Sequence, residues 1–122
     1  MQNITVELTQ NKIALLEPPD AGLAGRSWCY SHGYAKSFTR LEGENVEGVY
    51  LHRLVAERML GRALEPGEVV HHENEHRSDC RRSNLLVFRS HGDHQSYHNG
   101  GQLVRHEDGT CSTIRVTSRR LV

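Results

Sequence analysis

The chain has 122 residues, 36% of them apolar and 25% charged, with fifteen basic and fifteen acidic side chains in balance. That length makes one domain around one modest core. No apolar run approaches the ~20 residues that cross a bilayer, and zero net charge excludes nucleic-acid binding carried by bulk charge alone.

Cys29, Cys80 and Cys111 form no Cys-x-x-Cys pair. An odd, scattered set argues against a disulfide framework and a zinc knuckle, and buried or incidental thiols are expected. Met1 to Thr5 lacks the basic-then-apolar pattern of a secretion signal, so an intracellular setting is expected. The bases are thirteen arginines and two lysines. Arginine is the better fork for phosphate and for guanine edges. Its local groups are Arg53, Arg58 and Arg62; Arg77, Arg81, Arg82 and Arg89; and Arg115, Arg119 and Arg120.

Ile4, Val6 and Leu8 alternate with polar residues, Thr9 to Lys12 turns, and Ile13 to Leu16 is apolar. This predicts a hairpin. Pro18-Pro19-Asp20 ends it, and Ala21 to Gly25 is a helical turn or a loop. Arg26 to Tyr30 and Tyr34 to Thr39 predict two strands around Ser31-His32-Gly33. Glu42 to Asn45 is a turn, and Gly48 to Leu51 enters another strand. The whole reads as a small antiparallel meander. From Leu51 to Leu60 the period becomes helical, with Leu51, Leu54, Val55 and Met59 on one face, Arg58 at its edge, and Gly61 as C-cap. Val69-Val70-His71 opens a strand after the Glu65-Pro66-Gly67 turn. Asn84 leads a second apolar run, Leu85 to Phe88. Ser90 and Asp93 have capping-box spacing, so a helix starts at Ser90 and ends by Asn99-Gly100-Gly101. Leu103–Val104, the Asp108-Gly109 turn and Ile114 to Val116 predict a last hairpin.

The chemistry concentrates between Glu68 and His98. His71 and His72 end a strand, while His94 and His98 are spaced i,i+4 on a helix and project from one face. That pair presents two nitrogens to one cation. His91 joins them or flanks the site. A strand histidine would complete a three-ligand site with open positions, as a catalytic metal needs. The other member of the His71-His72 pair stays free as a general base. Metal and base together suffice to cleave a phosphodiester by activated water. His32, His52, His76 and His106 are expected on the surface.

Val69-Val70-His71-His72, the loop Glu73 to Ser83, Asn84-Leu85, and the helix with His94 and His98 resemble the HNH endonucleases, particularly the phage-borne, homing-type members. The likeness is close from Pro66 to His98 and looser upstream; from Leu103 onward it matches nothing. It implies an α+β fold: an N-terminal antiparallel β-meander and helix (1–62), a ββα-metal core (63–99) and a short C-terminal hairpin appendage (100–122). It also implies roles. His71, His94 and His98 would hold one divalent ion, His72 would activate water, and Asn84 would tie the loop and so orient His72. Arg77, Arg81, Arg82 or Arg89 would contact phosphate. The ion would be Mg²⁺ or Mn²⁺, with Zn²⁺, Ni²⁺ or Co²⁺ as alternatives: nitrogen ligands favour Zn²⁺, Ni²⁺, Co²⁺ or Mn²⁺ over Mg²⁺, and cellular supply favours Mg²⁺.

Glu75 and Cys80 depart from the family, standing where phage-type loops usually carry Gly and Asn. The Asn84-to-His94 gap is one residue longer than usual, so Asp93 competes with His94 for the helix-borne ligand position. The expected function is a metal-dependent DNA endonuclease, intracellular and phage- or prophage-encoded. It would act as a homodimer if it cuts both strands. The alternative is a non-catalytic DNA-binding module with a structural metal.

Overall fold

A computed structural model of the chain describes residues 3–38 and 48–114. The turn expected at 42–45 and the group Arg115, Arg119 and Arg120 lie outside the described residues.

Alternation along the first forty residues builds two small sheets rather than one meander. Strands β1 (Ile4–Glu7) and β2 (Ile13–Leu16) pair antiparallel, from Ile4 opposite Leu16 to Glu7 opposite Ile13. Val6, Leu8, Ala14 and Leu16 point inward and are buried, as the period of two requires. Gln10 and Asn11 close the turn with φ of 62° and 57°, the pair of left-handed residues that a tight hairpin needs. A 3₁₀ segment, Pro18–Gly25, separates this hairpin from the next sheet. Strands β3 (Cys29–Ser31), β4 (Tyr34–Ser37) and β5 (Val49–Tyr50) form that second sheet in the order β3-β4-β5. Pro18 has the fixed φ that opens a helical turn, and the break it makes keeps the sheets apart.

Helix α1 (Leu51–Leu60) ends at Gly61, whose φ of 74° is left-handed and whose N–H bonds Glu57 O at 2.8 Å. Its buried residues are Leu51, His52, Val55 and Ala56. The apolar stripe therefore runs through His52, which was expected on the surface. One turn from Val55 and Ala56 on that stripe, it is left only 9% exposed.

The remaining elements form one four-stranded sheet and a helix. Strands β6 (Val69–His72) and β7 (Leu85–Phe88) pair antiparallel, with His71 opposite Leu86 and His72 opposite Leu85. Helix α2 (His91–His98) begins under the Ser90 cap, whose Oγ accepts from Asp93 N at 3.0 Å. Strands β8 (Gln102–Arg105) and β9 (Cys111–Ile114) make the last hairpin. It is not an appendage. Strand β9 runs parallel to β7, Phe88 opposite Cys111, and Arg89 N bonds Cys111 O at 2.9 Å, giving the order β6-β7-β9-β8. Pairing starts at Cys111, three residues before the expected strand.

All four residues of β7 are buried because both faces are covered. Leu85 and Val70 join the core around Trp28, Leu51 and Val55. Leu86 and Phe88 join Cys111, Tyr97 and Leu103 on the other side. The fold is α+β, and its two small cores lie on opposite faces of the β6–β7 hairpin.

Candidate active site

Successive side chains of a strand point to opposite faces, so β6 sends its adjacent histidines to different cores. His71 faces α2. Its Nδ1 is 2.9 Å from His94 Nε2, and His98 Nε2 is 3.2 Å from the same His94 atom. The three ligand atoms all lie within 4.8 Å of one another. Metal–nitrogen bonds of ~2.1 Å span separations of this size, so the donor set fits a single divalent ion with open positions. The i,i+4 spacing of His94 and His98 stacks the two rings at a centroid distance of 4.7 Å.

The other nitrogen of His71, Nε2, sits 3.2 Å from Glu73 Oε1, and Tyr97 Oη donates to the same carboxylate at 3.1 and 3.2 Å. A carboxylate on the far nitrogen fixes the ring's orientation and tautomer, which leaves the Nδ1 lone pair toward the cluster. Burial, opposed by Glu73, lowers the pKa of His71; burial and the neighbouring His71 and His98 lower that of His94. Both shifts favour neutral, ligating imidazoles. Glu73 and Tyr97 were not singled out from the sequence. Glu73 follows the histidine pair directly, a visible signal, while Tyr97 gave none.

His72 faces α1 and is 8% exposed. Its ring centroid lies 5.2 Å from that of His52 and 6.2 Å from that of Tyr34, and Tyr50 packs on His52 at 5.5 Å. Burial pushes His72 down to about 4 and His52 to about 3. Both are neutral at pH 7. His72 Nε2 and His52 Nδ1 are buried without a hydrogen-bond partner among the described residues.

The loop between β6 and β7 is held from within. Asn84 Nδ2 donates to Asn74 Oδ1 and to the Asp79 carbonyl at 2.9 Å each, and its Oδ1 accepts from Asn74 N at 3.0 Å. Asn84 thus ties both limbs of the loop, and Glu73 N bonds its carbonyl at 2.9 Å. Glu75 keeps the left-handed backbone, φ 64°, that the usual glycine would supply. Cys80 is fully buried in the core, its N–H bonded to Leu15 O at 2.9 Å. The loop is docked on β2. All three cysteines are free thiols, Cys29 half-buried and Cys80 and Cys111 buried.

The structure separates the four arginines that the sequence left unranked. Arg81 forks onto Asp79 at 2.8 and 2.6 Å. Arg82 forks onto Asp20 at 2.8 Å twice. Arg89 bonds Thr110 Oγ1 at 2.9 Å. Arg77 lies over the Tyr34 ring, bonds His32 O at 3.0 Å, and lines the cleft. That open cleft, of about 360 Å³, is also lined by His71, His72, His94 and His98. A larger groove of about 550 Å³ adjoins it and shares Glu75 and Arg77. Asp93 is engaged elsewhere: its carboxylate accepts from Ser90 Oγ at 2.7 Å and Thr113 N at 2.9 Å. His94, not Asp93, stands in the group with His71 and His98. His91 is exposed and flanks the cluster, its ring 6.3 Å from that of His94.

A hairpin, a tied loop and a helix gather three imidazoles, beside a fourth, into a group that could hold a metal ion. Residues 49–94 match the model of the HNH endonuclease family. The match spans His52, His71, His72, Asn84 and His94 and stops short of His98. No curated protein and no solved structure matches the chain. No helix among the described residues is long and apolar enough to cross a membrane.

Proposed function

We propose that the protein is a metal-dependent endonuclease that hydrolyses DNA phosphodiesters. The observation that carries this reading is the single cleft lined by His71, His72, His94, His98 and Arg77. A divalent ion held by His71, His94 and His98 would supply positive charge to the phosphate and the leaving oxygen. His72, neutral at pH 7, accepts the proton of the attacking water. Arg77 takes a phosphate oxygen with its free guanidinium edge. Asn84 acts indirectly, holding the loop ends so that His72 and Arg77 keep their places across the cleft. The nitrogen-rich donor set suits Mn²⁺, Co²⁺, Ni²⁺ or Zn²⁺, and Mg²⁺ is the ion of greatest cellular supply. The setting is intracellular, as for a phage- or prophage-borne enzyme, and cutting both strands calls for two copies or two events.

Plasmid nicking with a titrated divalent ion tests the reading. Supercoiled DNA is converted to nicked or linear product, EDTA stops it, and His72→Ala abolishes it while the thermal melt stays cooperative. Undiminished cutting by His72→Ala removes His72 from the role. A protein that binds DNA, melts lower in EDTA and leaves the plasmid intact is the non-catalytic binding module instead.

A further inference from the structure

The groove of about 550 Å³ beside the cleft takes its lining from three places: the β1–β2 turn at 11–13, the β3–β4 hairpin at Tyr30, His32 and Gly33, and the β6–β7 loop at 75–78. Hydrogen bonds tie the three together in pairs. Tyr30 N donates to Thr9 Oγ1 at 2.9 Å, Leu15 N to Ser78 O at 3.0 Å, and Arg77 Nη1 to His32 O at 3.0 Å. Arg77 can lie against the β3–β4 turn because Gly33 is there: its φ is +91°, and a Cβ at that position would stand 3.0 Å from Arg77 Cδ. The groove is therefore built in advance, and little ordering of its walls opposes an occupant.

Its charges differ from those of the paired surface around it. Arg58, Arg62, Arg81, Arg82 and Arg89 each have a carboxylate partner. Lys12 and Arg77 have none among the described residues. Lys12 Nζ lies 5.5 Å from the centre of the Tyr30 ring, and Arg77 Cζ lies 5.1 Å from that of Tyr34. Glu75 is the one carboxylate among the lining residues, set against these two cations. Ile13, 50% exposed, and the Tyr30 ring add apolar surface to the same groove. Unpaired cations beside an aromatic ring suit a strand of nucleic acid, which offers phosphates and flat bases together.

We propose that this groove carries the DNA strand onward from the cleft, with Lys12 on a phosphate beyond the one that Arg77 holds. The substrate rests on the proposed function; the path rests on the groove. Arg77 lines both cavities, so a strand with a phosphate on Arg77 passes from one into the other without leaving the surface. A lysine on a phosphate positions the strand and carries no sequence information. Lys12 and Tyr30 lie outside residues 49–94, so this contact belongs to the N-terminal hairpins and not to the matched segment.

The test is fluorescence anisotropy of the full chain with a labelled DNA duplex of mixed sequence, in EDTA so that nothing is cut, at several salt concentrations. Lys12→Gln should lower the slope of log K against log salt by about 0.9 and weaken binding about five- to tenfold at 0.1 M salt. Lys12 is exposed at a turn, so the melt of this variant should match that of the wild type. Lys12→Arg keeps the charge and should keep the slope. Glu107 is exposed in the β8–β9 turn, outside the groove, and Glu107→Gln added to Lys12→Gln restores zero net charge. The double variant should bind as weakly as Lys12→Gln; recovery would mean that overall charge was at work and would overturn the proposal. An unchanged slope in Lys12→Gln, with a lowered one in Arg77→Gln, overturns the groove and leaves the phosphate on Arg77. No binding by the wild type overturns the groove and the endonuclease reading together. The expected slopes, with plasmid left uncut when a divalent ion is supplied, would overturn the enzymatic reading and leave the groove standing.

Discussion

Arg82 reaches 62 residues back along the chain to fork onto Asp20, and Arg58 from α1 bonds the same carboxylate at 2.9 Å. Asp20 is completely buried. One carboxylate thus joins the 3₁₀ segment, the helix and the loop that ends at Asn84. Arg58 and Arg82 keep 47% and 32% of their side chains exposed, so without Asp20 they turn to water, and the loss is that of charge-assisted hydrogen bonds. Asp20→Ala should destabilise the fold by about 2 kcal/mol, read as a lower urea midpoint. Asp20 bonds Arg58 and Arg82 and not the histidines of the cluster, so divalent-ion affinity should hold in the folded fraction.

Glu73 has a different kind of leverage. It touches His71 on the nitrogen away from the cluster. Glu73→Gln keeps the shape and weakens the hold on the ring, so ion affinity by calorimetry should fall ~10-fold or more. His94→Ala removes the donor closest to both others and should abolish measurable binding. In the wild type, ion at a hundred times Kd should add ~2.7 kcal/mol of stability. Equal ion binding by wild type and His94→Ala would refute the cluster as a metal centre.

Stability should fall in mild acid. The ordinary histidine value is 6.5, and burial lowers His72 to about 4 and His52 to about 3. Below pH 6.5 the unfolded chain binds protons that the folded chain refuses. Their contribution is therefore present above pH 6.5 and is lost as pH falls toward 4 and then 3. Each such proton steepens the loss by ~1.4 kcal/mol per pH unit. Urea midpoints between pH 7.5 and 4.5 should decline, and His52→Phe should flatten the decline by about one proton.

Glu75 holds φ at 64° without being glycine. The left-handed region costs an ordinary residue ~1–2 kcal/mol, offset in part by the greater unfolded freedom of glycine. Glu75→Gly should therefore stabilise the protein by about 0.5–1 kcal/mol. Glu75→Val should destabilise it, since a β-branched side chain fits that region worst.

Local signals were legible. Ser90 caps α2, Gly61 ends α1, and the i,i+4 spacing of His94 and His98 brings their nitrogens together. The strand pair and its Asn84 tie could also be read, because each depends on residues close in sequence. What escaped is long-range. Pro18-Pro19-Asp20 looked like a stop, and nothing local marks Asp20 as the buried anchor of two arginines. His52 looked like a polar residue on a surface helix, because one histidine in an apolar stripe barely alters its period. The parallel pairing of β9 with β7 rests on a single opposed pair, Phe88 and Cys111, from hairpins with no shared pattern.

The strict pairing of β6 with β7 also sets which changes in length the chain tolerates. The loop from Glu73 to Ser83 lies beyond the strand, and its exposed stretch from Glu75 to Arg77 can lengthen while Asn74, Asp79 and Cys80 keep their ties. A residue inserted between Val69 and His71 has no such outlet. It would turn the strand over by one step, sending His71 among the tyrosines and His72 toward α2. A single-codon insertion there should therefore abolish ion binding and cutting together, whereas point substitutions separate them.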